Sequence, residues 1–214
     1  MGRRALPKID PSLDLARYLK SWDELPRPWD AAALFGRTAP LEIEVGSGKG
    51  MFLQSAASGT PDHNFLGVEI ARKYARFCAA RLARNGIGNA IMLQGDAQRL
   101  FGELLPDASL LAVHVYFPDP WWKKRHLKRR VMNETFVRDV ARVLAPGGTL
   151  HFWTDVKDYF DASLALIAAQ TRLVGPLPVA ERPAAHDLDF RTHFERRMRL
   201  LDEPVYRAEF YAGR

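Results

Sequence analysis

Leu41-Glu-Ile-Glu-Val-Gly-Ser-Gly-Lys-Gly50 alternates apolar and acidic residues and then breaks into a glycine-rich turn. Period-two alternation predicts a strand over Leu41 to Val45, and the residues beyond the turn predict a helix from about Lys49 to Ser58. Gly46, Gly48 and Gly50 have no Cβ, so the backbone there can approach a ligand closely. A strand that delivers its carboxyl end to such a turn opens an α/β sheet, whose ligands bind outside the carboxyl ends of the strands.

The alternation continues downstream, with strands predicted at Asn64 to Glu69, Ala90 to Leu93, Leu110 to Phe117, Thr149 to Trp153 and Val205 to Tyr211. A helix over Ala71 to Asn85 places Ala71, Tyr74, Ala75, Cys78 and Leu82 on one stripe, and Gly86 stops it. Further helices are expected at Glu134 to Leu144, with Asn133 as N-cap, and at Tyr159 to Gln170. Residues 175–191 read as a Pro-rich loop before a short segment at Thr192 to Arg196. This βα repetition predicts a doubly wound, mostly parallel sheet. The first 38 residues, punctuated by Pro7, Pro11, Pro26 and Pro28, read as a partly flexible N-terminal extension with a helix-like stretch around Ser12 to Lys20. Residues 39–214 are then the main domain.

A chain of 214 residues with 47% hydrophobic and 26% charged content supports one α/β domain with a full core. Lys and Arg outnumber Asp and Glu by 31 to 25, a net charge of +6. That balance favours an anionic partner and leaves nucleic acid and membrane surface both open. Met-Gly-Arg-Arg is followed by no apolar signal core, Leu6 breaks an acylation pattern at Gly2, and no run approaches spanning length. A cytoplasmic protein without membrane association is expected. Cys78 stands alone, which excludes an internal disulfide and a multi-cysteine zinc site, and its apolar stripe predicts core packing. The six histidines lack metal-ligand spacing, so no metal is expected.

The glycine spacing is GxGxG, not the dinucleotide GxGxxG, and Glu44 stands just before it. A carboxylate facing the turn repels a pyrophosphate and attracts a cation, which favours S-adenosylmethionine over NAD; a tight turn with no ligand is the alternative. Glu69 falls 21 positions after Gly48, near the offset of a ribose-binding carboxylate, though alone it reads as a solvated strand end. Asp96 reaches an adenine edge on the same topology, and serves equally as a helix N-cap before Gln98.

Phe117-Pro-Asp-Pro-Trp-Trp-Lys-Lys-Arg-His-Leu-Lys-Arg-Arg130 joins a rigid acidic turn to six cations. Flanking prolines restrict Asp119, which suits a reacting centre and equally a structural corner. Trp121 and Trp122 offer stacking surfaces, one of them expected in the core. Lys123, Lys124, Arg125, Lys128, Arg129 and Arg130 are suited to phosphates, against the alternative of a solvated helix face.

Taken in order, Glu44-Val-Gly-Ser-Gly-Lys-Gly, Gly67-Val-Glu-Ile, Gly95-Asp-Ala, Phe117-Pro-Asp-Pro-Trp, the basic run, Thr154-Asp155 and Thr192-x-Phe-Glu195 resemble the bacterial tRNA (guanine-N7)-methyltransferases, over residues 38–211. The resemblance implies a Rossmann-like class I S-adenosylmethionine-dependent methyltransferase fold, a mostly parallel seven-stranded sheet with an antiparallel last strand. It implies methylation of the variable-loop guanine at tRNA position 46, by a monomer or homodimer. Glu44, Gly46, Gly48, Glu69, Asp96 and Asp119 would then line the cofactor site, with Asp119 also catalytic. Lys123, Asp155, Thr192 and Glu195 would hold the target nucleotide. Trp122 and His193 depart from the family pattern and bear on local substrate contacts. Three rivals are another methyltransferase on this fold, an RNA-binding module without catalysis, and an NAD oxidoreductase.

Overall fold

The computed structural model describes residues 6–179 and 190–213. Eight strands form one sheet: β1 (Leu19–Ser21), β2 (Leu41–Val45), β3 (Asn64–Glu69), β4 (Ala90–Gln94), β5 (Leu110–Tyr116), β6 (Leu144–Thr154), β7 (Val174–Pro178) and β8 (Tyr206–Tyr211). Their order is β1-β4-β3-β2-β5-β6-β8-β7, and β8 alone runs against its neighbours. Seven helices accompany them among the described residues: α1 (Ala31–Phe35), α2 (Met51–Gly59), α3 (Arg72–Arg84), α4 (Ala97–Glu103), α5 (Glu134–Val143), α6 (Lys157–Gln170) and α7 (His193–Leu200). The chain builds outward from β2 through β3 to β4, then returns to β2's other side with β5 and β6. That reversal leaves a crevice at the carboxyl ends of β2, β3 and β5.

Alternation along the strands decides which face each helix covers. Leu41, Ile43, Val45, Val113, Val115, Leu150 and Phe152 form one apolar face under α4, α5 and α6. The opposite face is apolar across β3 and β4, where Phe65 and Met92 meet Leu53 of α2 and Cys78, Ala79 and Leu82 of α3, and again where Phe52 of α2 meets Tyr116 and Trp153. Cys78 is fully buried, as its stripe predicted.

On β2, β5, β6 and β8 that second face carries a polar ladder. His114 Nε2–H donates to Glu42 Oε2 at 2.7 Å, and the Tyr116 hydroxyl donates to His114 Nδ1 at 2.9 Å. His151 stacks on His114 with centroids 4.6 Å apart, donates from Nδ1 to Glu209 at 2.9 Å and accepts from Thr149 at 3.1 Å. The carboxylate fixes one nitrogen of each ring as a donor, and a neutral ring then accepts from the hydroxyl at its other nitrogen. Burial acts the same way, pushing His114 down and His151 to about 3.

Several sequence expectations change. The sheet has eight strands, not seven, because Leu19–Ser21 pairs in parallel with Met92–Gln94. The helix-like stretch at Ser12 to Lys20 is instead turns leading into that strand. Pro11 and the Asp10 carboxylate, which accepts from Ser12 N–H at 2.9 Å, favour a turn there. Leu25 and Phe35, also among the first 38 residues, lie in the core. Helix α4 follows Asp96, as the N-cap reading of that residue anticipated. The strand before Trp153 begins at Leu144, with a register shift against β5 where Pro146-Gly147-Gly148 intervenes. The start of the 175–191 loop is strand β7, and its residues 180–189 lie outside those described.

Gly50 fixes how α2 meets α3. Its φ is +69°, and a Cβ there would lie 2.1 Å from Cys78 Sγ. Gly50→Ala should therefore lower stability through left-handed strain of about 1–2 kcal/mol plus overpacking of about 1–3 kcal/mol. In urea unfolding, adding Cys78→Ala should recover the packing part and leave the strain; equal midpoints for the single and double variants would refute this reading.

Candidate active site

The turn after β2 exposes bare backbone. Gly46 and Gly48 have φ of +80° and +53°; a Cβ on Gly46 would meet nothing within 4 Å, and one on Gly48 only the Gly46 carbonyl at 3.9 Å. Glu69, at the end of β3, braces this turn by accepting from Gly48 N–H at 3.0 Å and from Ala71 N–H at 2.8 Å. Each carboxylate oxygen retains acceptor capacity. Glu44 is 4% exposed, and its Oε2 has no hydrogen-bond partner. Burial pushes its carboxyl up to about 8, with the Ser47 hydroxyl opposing and the Glu69 charge adding to the shift.

Asp96 is exposed and caps α4, accepting from Gln98 N–H at 2.9 Å. The cap engages Oδ1, so the structural reading holds at the position where an adenine contact was also expected. Asp155 is half-buried at the end of β6. In sheet order Asp96, Glu69, Glu44, Asp119 and Asp155 thus follow one another at the carboxyl ends of β4, β3, β2, β5 and β6.

Asp119 is exposed on a strained, tethered loop. Phe117 and Trp121 both adopt positive φ, 48° and 45°, a conformation that costs about 1–2 kcal/mol per non-glycine residue. Phe117 N–H donates to Trp153 O at 2.8 Å. Arg130 Nε donates to Pro120 O at 2.7 Å, with its guanidinium 4.6 Å from the Tyr159 ring centroid. The Phe117 ring lies 4.9 Å from Phe194 of α7. That contact brings the Thr192 segment beside Asp119, 73 positions away in the chain.

Thr192 begins α7 as an N-cap, accepting from Glu195 N–H at 3.0 Å. Glu195 is 3% exposed and accepts from Arg191 N–H at 2.6 Å and from Arg207 Nη2 at 3.3 Å. Thr192 caps the first turn and Glu195 bonds the N–H just before it, so the Glu195 carboxylate is engaged inside the protein. The basic run forms a 3-10 helix, Lys124–Arg129. Lys123, Arg125, Lys128 and Arg129 are exposed, and Arg129 lies 5.1 Å from the Trp121 ring centroid. Arg130 differs, being turned onto Pro120 and Tyr159. Neither tryptophan joins the core: Trp121 is half-buried and Trp122 is 67% exposed, because the positive φ at Trp121 turns the chain outward.

A glycine turn at the switch point, acids at successive strand ends and an antiparallel β8 define a class I methyltransferase fold. The 16S rRNA methyltransferase KamB superposes with a TM-score of 0.63 at 19% identity, covering 86% of this chain and 94% of that one. Residues 38–208 match a putative methyltransferase family model. A tRNA (guanine-N(7)-)-methyltransferase of Rhodopirellula baltica is 54% identical over 97% of this chain and 79% of its own length. One from Bordetella pertussis is 41% identical over 85% of this chain and 70% of its own. The chain belongs to the bacterial tRNA (guanine-N7)-methyltransferase family.

The Glu44 carboxyl gives a signed pH effect on stability. Its folded value of about 8 exceeds the ordinary 4.5, so the folded state holds a proton that unfolding releases, and stability falls as pH rises between those values. His151 acts oppositely but only below its ordinary 6.5. From pH 6.5 to 8 the Glu44 contribution therefore stands clear, at most about 1.4 kcal/mol per pH unit. Denaturant titrations should show that decline in the wild type and its loss in Glu44→Gln; parallel profiles would contradict it.

Proposed function

We propose that this protein transfers a methyl group from S-adenosylmethionine to N7 of the variable-loop guanine at tRNA position 46. The carrying observation is Glu44: a buried carboxyl with an unpartnered oxygen beneath an open glycine turn, protonated while the site is empty, ionises when a cationic ligand binds there. Family membership supports the tRNA substrate, and the basic flank at Lys123–Arg129 supports a polyanion.

Glu44 faces the cationic part of the cofactor, and Gly46 and Gly48 allow its close approach. Glu69 accepts from ribose hydroxyls through its remaining lone pairs, and Asp96 stands toward the adenine edge. When bound, S-adenosylmethionine supplies an electrophilic methyl group on a sulfonium. Guanine N7 carries a free lone pair at neutral pH, so no side chain has to remove a proton before attack. The residues instead align the base in line with the methyl group, which can contribute up to about 7–11 kcal/mol. Asp119 offsets the charge that develops on the purine or holds its N1 and N2 donors. Lys123, Asp155 and Thr192 surround the target nucleotide, while Glu195 acts on that surface by fixing the start of α7.

Incubation with labelled S-adenosylmethionine and unmodified tRNA, followed by cleavage at N7-methylguanine, should place the label at position 46. Absence of label in the variable loop would sink the substrate assignment. Asp119→Asn should lower kcat by about a hundredfold and weaken cofactor affinity measured by calorimetry; wild-type turnover with unaltered cofactor affinity would remove Asp119 from the site.

A further inference from the structure

A cleft of about 630 Å³ lies between the N-terminal segment and α3, outside the strand-end crevice. Lys8, Arg72, Lys73 and Arg76 contribute four cations to its lining, Ile9 and Phe77 contribute apolar surface, and no acidic residue lines it. All four cations are exposed, and none is ion-paired with another described residue. Grouped like charges repel one another unless an anion accompanies them. The cleft thus sets aside the charge dispersal that an isolated fold prefers.

The position of the cleft names the anion. Helix α3 follows β3 directly after Glu69, and the Lys123–Arg130 segment follows β5; β3 and β5 flank β2 on opposite sides. Two strand spacings, roughly 10 Å, separate β3 from β5. The two basic surfaces therefore bracket the crevice, where a single patch would anchor a long polyanion on one side only. A chain of phosphates crossing the crevice meets cations on both flanks, which a small free anion has no need of. We propose that the α3 cleft is a second phosphate-backbone contact for the substrate RNA, so that the RNA straddles the site and is held on both sides of the target base. This rests on the tRNA reading above.

The test is binding of an unmodified tRNA transcript across a KCl series by wild type, Lys73→Gln/Arg76→Gln, and the charge-conserving Lys73→Arg/Arg76→Lys. Arg72 is left intact because it adjoins Glu69. The neutralised variant should show a slope of log affinity against log salt shallower by about 2, one per lost phosphate contact. Its KM for tRNA should rise severalfold, kcat at saturating tRNA and the calorimetric affinity for S-adenosylmethionine should hold, and the charge-conserving variant should match wild type. An unchanged salt slope overturns the proposal, as does a fall in kcat or Tm without a change of slope, which marks a structural role. Wild type that methylates tRNA while the variant keeps its slope rejects the cleft alone; wild type that neither binds nor methylates tRNA rejects the functional reading and the cleft with it.

Discussion

The crevice is organised around one unfavourable placement, a carboxyl group buried at the end of the central strand. Glu44 has Gly67 beside it on β3 and His114 on β5, so no cation reaches it from a neighbouring strand position. The fold accommodates this by holding the group protonated, as its value of about 8 indicates. Other parts conform to that choice. Gly67 leaves room where a Cβ would come within 2.6 Å of Ser47 Oγ and 2.7 Å of Leu53 Cδ2. Glu69 is drawn to the backbone of the glycine turn, where N–H groups satisfy it. The two acids therefore differ in kind. One is solvated by backbone dipoles, and the other is left for something that binds.

Much of this arrangement was legible in the chain because it rests on local periodicity. Strands β2 and β3 match the alternation residue for residue, α3 matches its three-and-four stripe to within a residue at each end, and Asn133 caps α5 by accepting from Phe136 N–H. What escaped depends on partners distant in sequence or on short elements. Strand β1 has only three residues, and its identity comes from β4, more than 70 positions later. Strand β7 contains Pro176 and Pro178 and is exposed throughout, so it lacks both alternation and the usual composition. The histidine ladder is invisible in sequence because His114, His151 and Glu209 become neighbours only through the register of β5, β6 and β8.

At α7 the readable signal was structural. Thr192-x-x-Glu195 is a capping-box spacing, and the buried Glu195 carboxylate bonds its own helix start and Arg207. Its effect on the site passes through placement of the helix. Once α7 is fixed, Phe194 packs on Phe117, and the segment stands beside the loop that carries Asp119. Glu195 thus shapes the surface beside the Asp119 loop without exposing its own polar atoms there.

The same distinction divides the basic run. Arg130 turns inward, onto the Pro120 carbonyl and the Tyr159 ring, and so holds the Asp119 loop in its strained shape, while the exposed Arg129 lies over the Trp121 ring. Lys123, Arg125 and Lys128 are exposed and free of that duty. Strain at Phe117 and Trp121 persists only where surrounding contacts over-determine it, and Arg130 supplies two of those contacts. Exposed positive charge and the geometry of the Asp119 loop are therefore carried by different cations of one eight-residue segment. Losing the outward set lowers the exposed charge, whereas losing Arg130 lets the loop relax and moves Asp119 without altering that charge.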